Sequence, residues 1–536
     1  MQTRVTRETI GLKARHAAMT RGLSWQPSYQ AAKDVYRFGD ALGADGYADV
    51  STDEGIKIHH WNAFEEPFRM TLDAYWCLQA AKQKKLYAVI EAFGQNNGQL
   101  GVTDARYVNA LKLVVQAFTP LAYASHRGFA RLGRQFGGDD LRVACQLQAV
   151  DQLAHYQSET HAFSHFNKYF NGLHNGNHWF DTLWYLSVSK SYVEDAQSAG
   201  PFELLIAISF SFDNLVSPLF LPLLAGAAHN GDLSTVSAGF SAQGDQARHK
   251  ATGLAAIKFM LRQDAANLPI VQRWVDKWFW RGYRLLTLVA MIQDYMLPKR
   301  TLSWKENWEL YLEGAGTALF DELLHYGLRK PAGWADACEG KDHISHQAWN
   351  AFYGYRAATA FHSWVPGAQE MDWLSQKYPT SFRKFYRPRL EHYRNQAQQG
   401  QSWHSKYLPL QCATCQFPMI FTEPGNPRMI AYRDRNYGAE TSHFCSDHCQ
   451  SIFDNEPAKY RQVRLAVQSV FQGREFKPGA DPRASNFDAL AALLDGAQLD
   501  SGRNTVGRDS GDFEGSADQR NFAHWGGGQS PKEGVL

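Results

Sequence analysis

The sequence predicts an all-α protein, a multi-helix bundle followed by a small C-terminal metal-binding module. From about residue 65 to 330, apolar residues recur at three- and four-residue steps, and Gly, Asn or Pro separates the segments, as amphipathic helices require. Four of the seven cysteines cluster in turn-rich sequence after residue 405. The pentad D-Q-x-x-H occurs twice, at 151–155 and 245–249. These observations indicate helices that carry a polar site and a separate module that carries cysteines.

The helices are predicted from this periodicity in chain order. The segments with helical spacing are 65–94, 104–133, 142–170, 201–226, 245–264 and 269–297. Residues 300–400 continue helical and aromatic, and we expect them to wrap the bundle.

Length and composition divide the chain into four regions. Its 536 residues exceed the usual single core. We expect an N-terminal arm at 1–60, a helical domain at 61–400 and a cysteine module at 405–465. Residues 480–536 are rich in Gly, Asp, Ser and Asn, so they cannot bury enough apolar surface to order alone. We expect this tail to be disordered or bound to a partner.

Charge and hydropathy exclude several classes of function. Lys plus Arg is 55 against 53 for Asp plus Glu, so neither nucleic acid nor a membrane surface is an expected partner. The basic start of the chain lacks an apolar stretch, so no secretory signal is expected and a cytoplasmic location is predicted. The apolar run at 201–228 contains Asp213, which favours a buried core helix over a membrane span.

The clustered cysteines predict a structural zinc site. Cys412 and Cys415 form one close pair, and Cys445 and Cys449 form a second. Four thiolates at such spacing close a tetrahedral shell around zinc and leave no open position for a substrate. The alternative is two disulfides or four free thiols. Disulfides are rare in intracellular proteins, so this alternative is less favoured.

The two pentads predict a four-point polar pocket. Residues at i and i+3 share a helix face, so Gln152 with His155, and Gln246 with His249, each point one amide and one imidazole the same way. Helical di-iron sites use E-x-x-H in this role, and here both Glu residues are Gln. The alternative is a metal-free pocket in which the amides hydrogen-bond to each other and to the histidines.

Several stretches resemble the large oxygenase subunit of phenol hydroxylases, among the bacterial multicomponent monooxygenases. They include "KKLYAVIEAFGQNNG", "HWFDTLWYLSVSKS" and "SHFCSDHCQSIF", the last similar to a YHS-type zinc segment. The resemblance implies a ferritin-like di-iron bundle that oxidises a small aromatic substrate with O2. It also implies small hydroxylase subunits in a homo- or hetero-dimer, a regulatory protein, and a separate reductase through which NADH acts only indirectly.

The resemblance also implies which positions correspond to the iron ligands. The family's four Glu, two His and one Thr near the irons fall on Ala122, Gln152, His155, Asp213, Ser217, Gln246 and His249. Only one of four carboxylates remains. Because a neutral amide supplies no charge and binds hard cations weakly, we do not expect a family-type di-iron centre.

Other arrangements of metal and ligands remain open. His155, His249 and Asp213 have the ligand types of a single-iron site, although in the family the two histidines serve different irons. Asp151 and Asp245 are expected to orient the histidines or to swing in as substitute ligands.

Two functions follow from this sequence. The first is a monooxygenase subunit with a remodelled metal site, with Ser217 and Asp213 as its catalytic candidates. The second is a pseudo-hydroxylase, a structural, regulatory or small-molecule-binding subunit that pairs with a catalytic partner. The breadth of the resemblance favours the first, whereas the lost ligands favour the second.

Overall fold

The computed structural model describes most of the predicted bundle and part of the cysteine module. The described residues are 55–68, 72–102, 104–136, 139–170, 173, 186–342, 344–345, 348, 412–417, 433–437, 440–462 and isolated positions between 368 and 391. The predicted tail, nearly all of the predicted arm and most of residues 349–400 lie outside them.

Within the described residues the chain is predominantly helical. The main helices are α1 (Leu72–Gln95), α2 (Ala105–Gln135), α3 (Asp139–Phe166), α4 (Ser187–Ser198), α5 (Pro201–His229), α6 (Leu233–Gln263), α7 (Asn267–Met291), α8 (Trp304–Trp308), α9 (Ala315–Leu324) and α10 (Trp334–Gly340). Short 3-10 turns occur at Trp61–Ala63 and Gly98–Gly101, and π-helical turns at Ile292–Met296 and Glu309–Gly314. The prediction of an all-α ferritin-like bundle is confirmed.

The bundle is built from extended contacts between long helices. Helix α2 packs along α3, and α6 packs against α1, α3 and the first half of α5. Helices α2 and α6 each begin with a capping aspartate. The Asp104 carboxylate accepts a hydrogen bond from the backbone N–H of Arg106 at 2.9 Å, and Asp232 accepts one from the backbone N–H of Thr235 at 3.0 Å. The α2–α3 and α6 contacts bring both pentads to the bundle interior.

Helix α5 is the long apolar segment, and it lies in the core. It meets the length and composition of a membrane span, yet 72% of its most apolar window is buried inside the protein, as expected for a core helix. Residues Ile206–Val216 form a π-helical stretch that contains Asp213. Such stretches insert extra backbone and often mark functional sites. Gly253 of α6 permits the close approach, because a Cβ there would lie 2.3 Å from the Ser209 carbonyl oxygen.

The cysteine module is small and docks on the bundle. Strands β1 (Arg433–Tyr437) and β2 (Glu440–Phe444) pair antiparallel, with Arg433 opposite Phe444, and α11 (Asp447–Asn455) and α12 (Pro457–Gln462) follow. The Trp280 indole on α7 donates to Ser446 Oγ at 3.1 Å, and the Tyr460 hydroxyl donates to Asp195 of α4 at 2.6 Å. Buried polar contacts therefore join the module to α4 and α7.

Candidate functional site

The two pentads form a reciprocal pair across α3 and α6. His155 Nε2 lies 2.9 Å from Asp245, and His249 Nε2 lies 2.9 Å from Asp151. The Asp of each pentad therefore contacts the His of the other, and the two imidazole centroids are 6.3 Å apart. Because a carboxylate accepts a hydrogen bond, each Nε2 carries a proton. Nδ1 is therefore the nitrogen of each ring that faces away from the carboxylate and is available to a metal.

Helix α1 holds the two carboxylates in place. The Gln79 amide donates to Asp151 at 2.9 Å and to Asp245 at 2.7 Å. Arg248 forms an ion pair with Asp151, and Lys82 forms one with Asp245. Burial alone would raise the pKa of Asp151, but its hydrogen bond to His249 and nearby Arg248 hold that pKa below its usual value. Both carboxylates are therefore ionised and engaged behind the histidines.

Asp213 is the remaining carboxylate at a position implied for iron. It is fully buried on the π-helical stretch and accepts from the Gln148 amide at 3.2 Å. Its second oxygen and His249 Nδ1 are both buried without a hydrogen-bond partner, and His249 Nδ1 lies 3.9 Å from the nearer Asp213 oxygen. Burial raises the pKa of Asp213 to about 6, although His249 opposes this. The Asp213 carboxyl can therefore gain or lose a proton near pH 6.

The side chains of Gln152, Gln246 and Ser217 face the cavity beside the histidines. Ser217 Oγ donates to Gln246 Oε1 at 2.8 Å, so the carbonyl end of that amide is engaged. Ala122, Gln152, His155, Ser217 and Gln246 line one cavity, whereas Asp213 and His249 do not line it. The structure thus divides the predicted residues into a cavity-lining group and a fully buried group.

The cavity is mostly apolar. Its volume is about 170 Å³, and its aromatic and aliphatic lining includes Leu111, Phe118, Phe163, Phe212, Phe220, Leu223 and Ile292. A cavity of roughly 150 Å³ with such a lining takes up benzene in another protein. A single aromatic ring therefore fits this space.

One acidic residue of the cavity was not predicted from the sequence. Glu159 lines it one turn beyond His155 on α3, and its carboxyl hydrogen-bonds to Thr119 of α2. Burial raises the pKa of Glu159, while His155 and Thr119 oppose the rise. Thr119 and Ala122 share a face of α2, so Glu159 brings a carboxyl to the helix face from which a ligand is missing. The signal in the sequence was the i+4 spacing from His155.

The donors of the pocket do not fit the family's di-iron group. That group requires four carboxylates and two histidines, whereas these positions supply one carboxylate, two amides and an alanine. The donor atoms of His155, His249 and Asp213 do not all lie within 4.8 Å of one another. Asp151 and Asp245 are paired with cations on the far side of the imidazoles. A two-iron centre of the family type therefore lacks three of its six ligands and most of its negative charge.

The cysteine cluster offers a complete donor set. The sulfur atoms of Cys412, Cys415, Cys445 and Cys449 all lie within 4.8 Å of one another and are fully buried. Cys445 Sγ is 3.5 Å from the Cys415 and Cys449 sulfurs. These spacings exceed any disulfide bond and approach the roughly 3.8 Å edge of a tetrahedral zinc–thiolate shell. The residues therefore fit zinc, as the spacing in the sequence predicted.

One buried arginine without a hydrogen-bond partner, Arg284, lies beside the cysteines. All three nitrogens of the Arg284 guanidinium are buried without a hydrogen-bond partner, and its carbon lies 4.2 Å from the Phe417 ring centre. Burial alone would lower the pKa of Arg284, but Cys445 and Cys415 raise it. An unpaired buried cation is costly. Thiolates around a divalent metal would supply the compensating charge.

Comparisons with known proteins agree with this architecture. A family profile described as Methane/Phenol/Alkene Hydroxylase matches residues 25–264. The chain is 51% identical over 468 residues to the oxygenase component DmpN of phenol 2-monooxygenase from Pseudomonas sp. (strain CF600), covering 87% of this chain and 88% of that protein. It is 24% identical over 436 residues to the alpha subunit of the oxygenase component of the Xanthobacter autotrophicus (strain ATCC BAA-1158 / Py2) alkene monooxygenase system, covering 77% and 83%.

A solved structure extends the likeness to three dimensions. The crystal structure of xenon-pressurized phenol hydroxylase from Pseudomonas sp. OX1 matches with a TM-score of 0.70 and 48% identity. The match covers 96% of this chain and 99% of that one. The likeness therefore extends over nearly the full length of both chains.

Proposed function

Because this chain belongs to the methane/phenol/alkene hydroxylase family, as a phenol-hydroxylase-type oxygenase subunit, we propose that its cavity binds a single-ring aromatic molecule. The observation that carries this proposal is the apolar cavity of about 170 Å³ with polar residues at Gln152, Ser217 and Gln246. Apolar walls favour the ring, while a few polar groups orient a hydroxyl substituent. Phenol 2-monooxygenase, whose oxygenase component is the 51% identical relative, is named for such a molecule.

The donor set favours a pseudo-hydroxylase. Two ferric ions with bridging oxygen are stabilised by several negative charges in a poorly screened site. Three of the four carboxylates are absent here, and the Gln246 carbonyl already accepts from Ser217. We therefore propose that this subunit binds the aromatic molecule and pairs with a catalytic partner of the same family. The relatives are components of multicomponent systems, which implies partner subunits.

A second function is supported by the buried pair at the base of the site. His249 Nδ1 and one Asp213 oxygen lack partners, so they could receive a single metal ion after a small closure. In that case the chain is a monooxygenase with a remodelled site, supplied with electrons by a reductase and assisted by a regulatory protein. Ser217 would then position Gln246, and Asp213 would act as a metal ligand outside the cavity lining.

We also propose that the cysteine cluster binds one structural zinc ion. Its support is the sulfur spacing and the charge of the buried Arg284. The closed shell has no position for a substrate. Its role is therefore to fold the module that packs on α7.

Phenol binding to the chain, co-purified with its small subunits, tests the cavity. Ala122→Phe fills the space beside Gln152 and should weaken binding at least tenfold, which is about 1.4 kcal/mol. Ala81→Phe, on the exposed face of α1, is the matched control and should bind like the parent. Isothermal titration calorimetry measures both. Equal affinity in the Ala122→Phe variant and its parent would exclude this cavity as the site.

Turnover separates the two functions. With a family reductase and regulatory protein, a pseudo-hydroxylase should bind phenol without consuming O2 or forming product. Phenol-dependent O2 consumption that His249→Ala abolishes would support the remodelled monooxygenase instead.

A further inference from the structure

A second cluster of histidine and carboxylate lies between α1 and α3, apart from the pocket. His161 and His165 are one turn apart on α3, and Glu91 faces them from α1. His161 Nε2 is 2.9 Å from a Glu91 oxygen. One donor atom from each of the three residues lies within 4.8 Å of the other two. His161 is six residues beyond His155, about 9 Å along the helix axis, so this cluster shares no ligand with the pocket.

The two imidazoles are buried with unused nitrogens. His161 is 0% exposed and His165 is 4% exposed. Both nitrogens of His165, and Nδ1 of His161, have no hydrogen-bond partner. A buried polar atom without a partner destabilises the folded protein. A metal ion that binds one nitrogen of each ring would remove part of this cost.

The surrounding backbone is shaped around the His165 ring. A Cβ on Gly94 would lie 2.4 Å from His165 Nδ1, so only glycine leaves room for the imidazole at this point of α1. The His161 and His165 rings meet edge to face, with centroids 5.2 Å apart. The space therefore holds two rings whose nitrogens converge with the Glu91 carboxylate.

We propose that Glu91, His161 and His165 bind one divalent transition-metal ion. Two imidazoles and one carboxylate match the ligand preference of zinc, cobalt and ferrous ions, whereas Mg²⁺ and Ca²⁺ prefer all-oxygen sites. The Glu91 side chain is 25% exposed, so water can complete the coordination from that side. This site is independent of the aromatic pocket and of the cysteine module.

The ion would link α1 to α3. Helix α1 carries Gln79 and Lys82, which hold the two carboxylates behind the pocket histidines. Glu91 lies three turns further along the same helix. A bound ion would therefore fix the helix that supports the pocket, without touching the cavity.

Cobalt titration of the full chain tests this site, after dialysis against a weak chelator that leaves the buried cysteine-bound zinc in place. Metal analysis before the titration confirms that no more than one zinc per chain remains. The ligand-field absorption of Co²⁺ reports coordination by nitrogen and oxygen. The parent should bind one Co²⁺, and its melting temperature should rise on binding. His165→Gln should weaken binding at least 100-fold, and Glu91→Gln at least tenfold.

Two controls make the result specific. His229→Gln changes an exposed histidine at the end of α5 and should bind cobalt like the parent. His249→Ala removes the pocket donor and should also bind like the parent, so failure of the pocket proposal does not affect this test. Melts without metal show that each variant is folded. A parent that binds no Co²⁺, or a His165→Gln variant that binds it with unchanged affinity, overturns the proposal.

Discussion

The cysteine cluster and the pentad pocket occupy two regions of one chain, and they differ in how completely their donors are assembled. In the cluster, four buried sulfurs converge within 4.8 Å and a buried cation, Arg284, faces them. In the pocket, the histidines are oriented by carboxylates, but the positions that should supply charge hold Ala122 and two amides. The cysteine cluster therefore has all four of its expected metal ligands, whereas the pocket keeps its two histidines and only one of the four expected carboxylates.

The charges behind the pocket balance one another without a metal ion. Asp151 and Asp245 are paired with Arg248 and Lys82, so the hydrogen-bond acceptors of the two imidazoles are neutralised. A site with four buried carboxylates would repel itself without metal. We expect Gln in place of Glu to remove that repulsion and to lower the affinity for iron.

Breaking the cysteine cluster should have the largest effect. Cys415→Ser removes one of four thiolates, so zinc should be lost and the module should unfold, because its strands and helices have little core of their own. Zinc analysis and limited proteolysis after residue 405 measure this. Cys77→Ser, at an exposed position on α1, should retain zinc. Zinc retention and protease resistance in the Cys415→Ser variant would rule out the assignment.

Breaking the network behind the pocket should have the next largest effect. Asp151→Asn removes the closer of the two ion pairs of Arg248, leaving the one to Asp245 at 3.7 Å, and weakens the bond to His249. This should cost about 2–4 kcal/mol of unfolding free energy. Asp321→Asn, at an exposed position on α9, is the control and should change it by less than about 0.5 kcal/mol. Chemical denaturation measures both. A change below about 1 kcal/mol for Asp151→Asn would show that the network is not balanced as described.

A smaller, pH-dependent effect is expected at Asp213. Its pKa is about 6 in the folded protein against a usual value of 3.8. The protonated carboxyl therefore favours folding below pH 4, and this contribution is lost as pH rises through 6. In metal-free protein, Asp213→Asn should increase stability by about 2–3 kcal/mol at pH 7.5 and leave it nearly unchanged at pH 4. Equal effects at both pH values would contradict the raised pKa.

The sequence predicted the parts of this molecule that depend on local spacing. Apolar periodicity located the long helices, and the Cys412 to Cys449 spacing located the cluster. The i, i+3 rule placed Gln152 with His155 on one face. The sequence could not predict that the Asp of each pentad contacts the His of the other, because the register between α3 and α6 is set by packing of the whole bundle.

The features that the sequence did not predict are two sets of contacts between residues distant in sequence and one local irregularity of the backbone. Gln79 of α1 bridges two carboxylates that lie 72 and 166 residues away. The π-helical stretch rotates Asp213 by inserting backbone that apolar periodicity does not report. Glu159 reaches the face of α2 near Ala122 only because α2 and α3 pack along their length.

Iron content after anaerobic loading with ferrous ion and desalting tests the central claim most directly. The parent is compared with a variant that restores the four carboxylates by Ala122→Glu, Gln152→Glu, Asp213→Glu and Gln246→Glu, both in a His165→Gln background so that the α1–α3 cluster does not contribute. The restored variant should melt lower than its parent without metal, recover on loading and retain two irons per chain. The parent pocket should retain none. Two irons in the parent, with O2 consumption when a reductase is added, would show that amides serve as ligands here and would contradict this account.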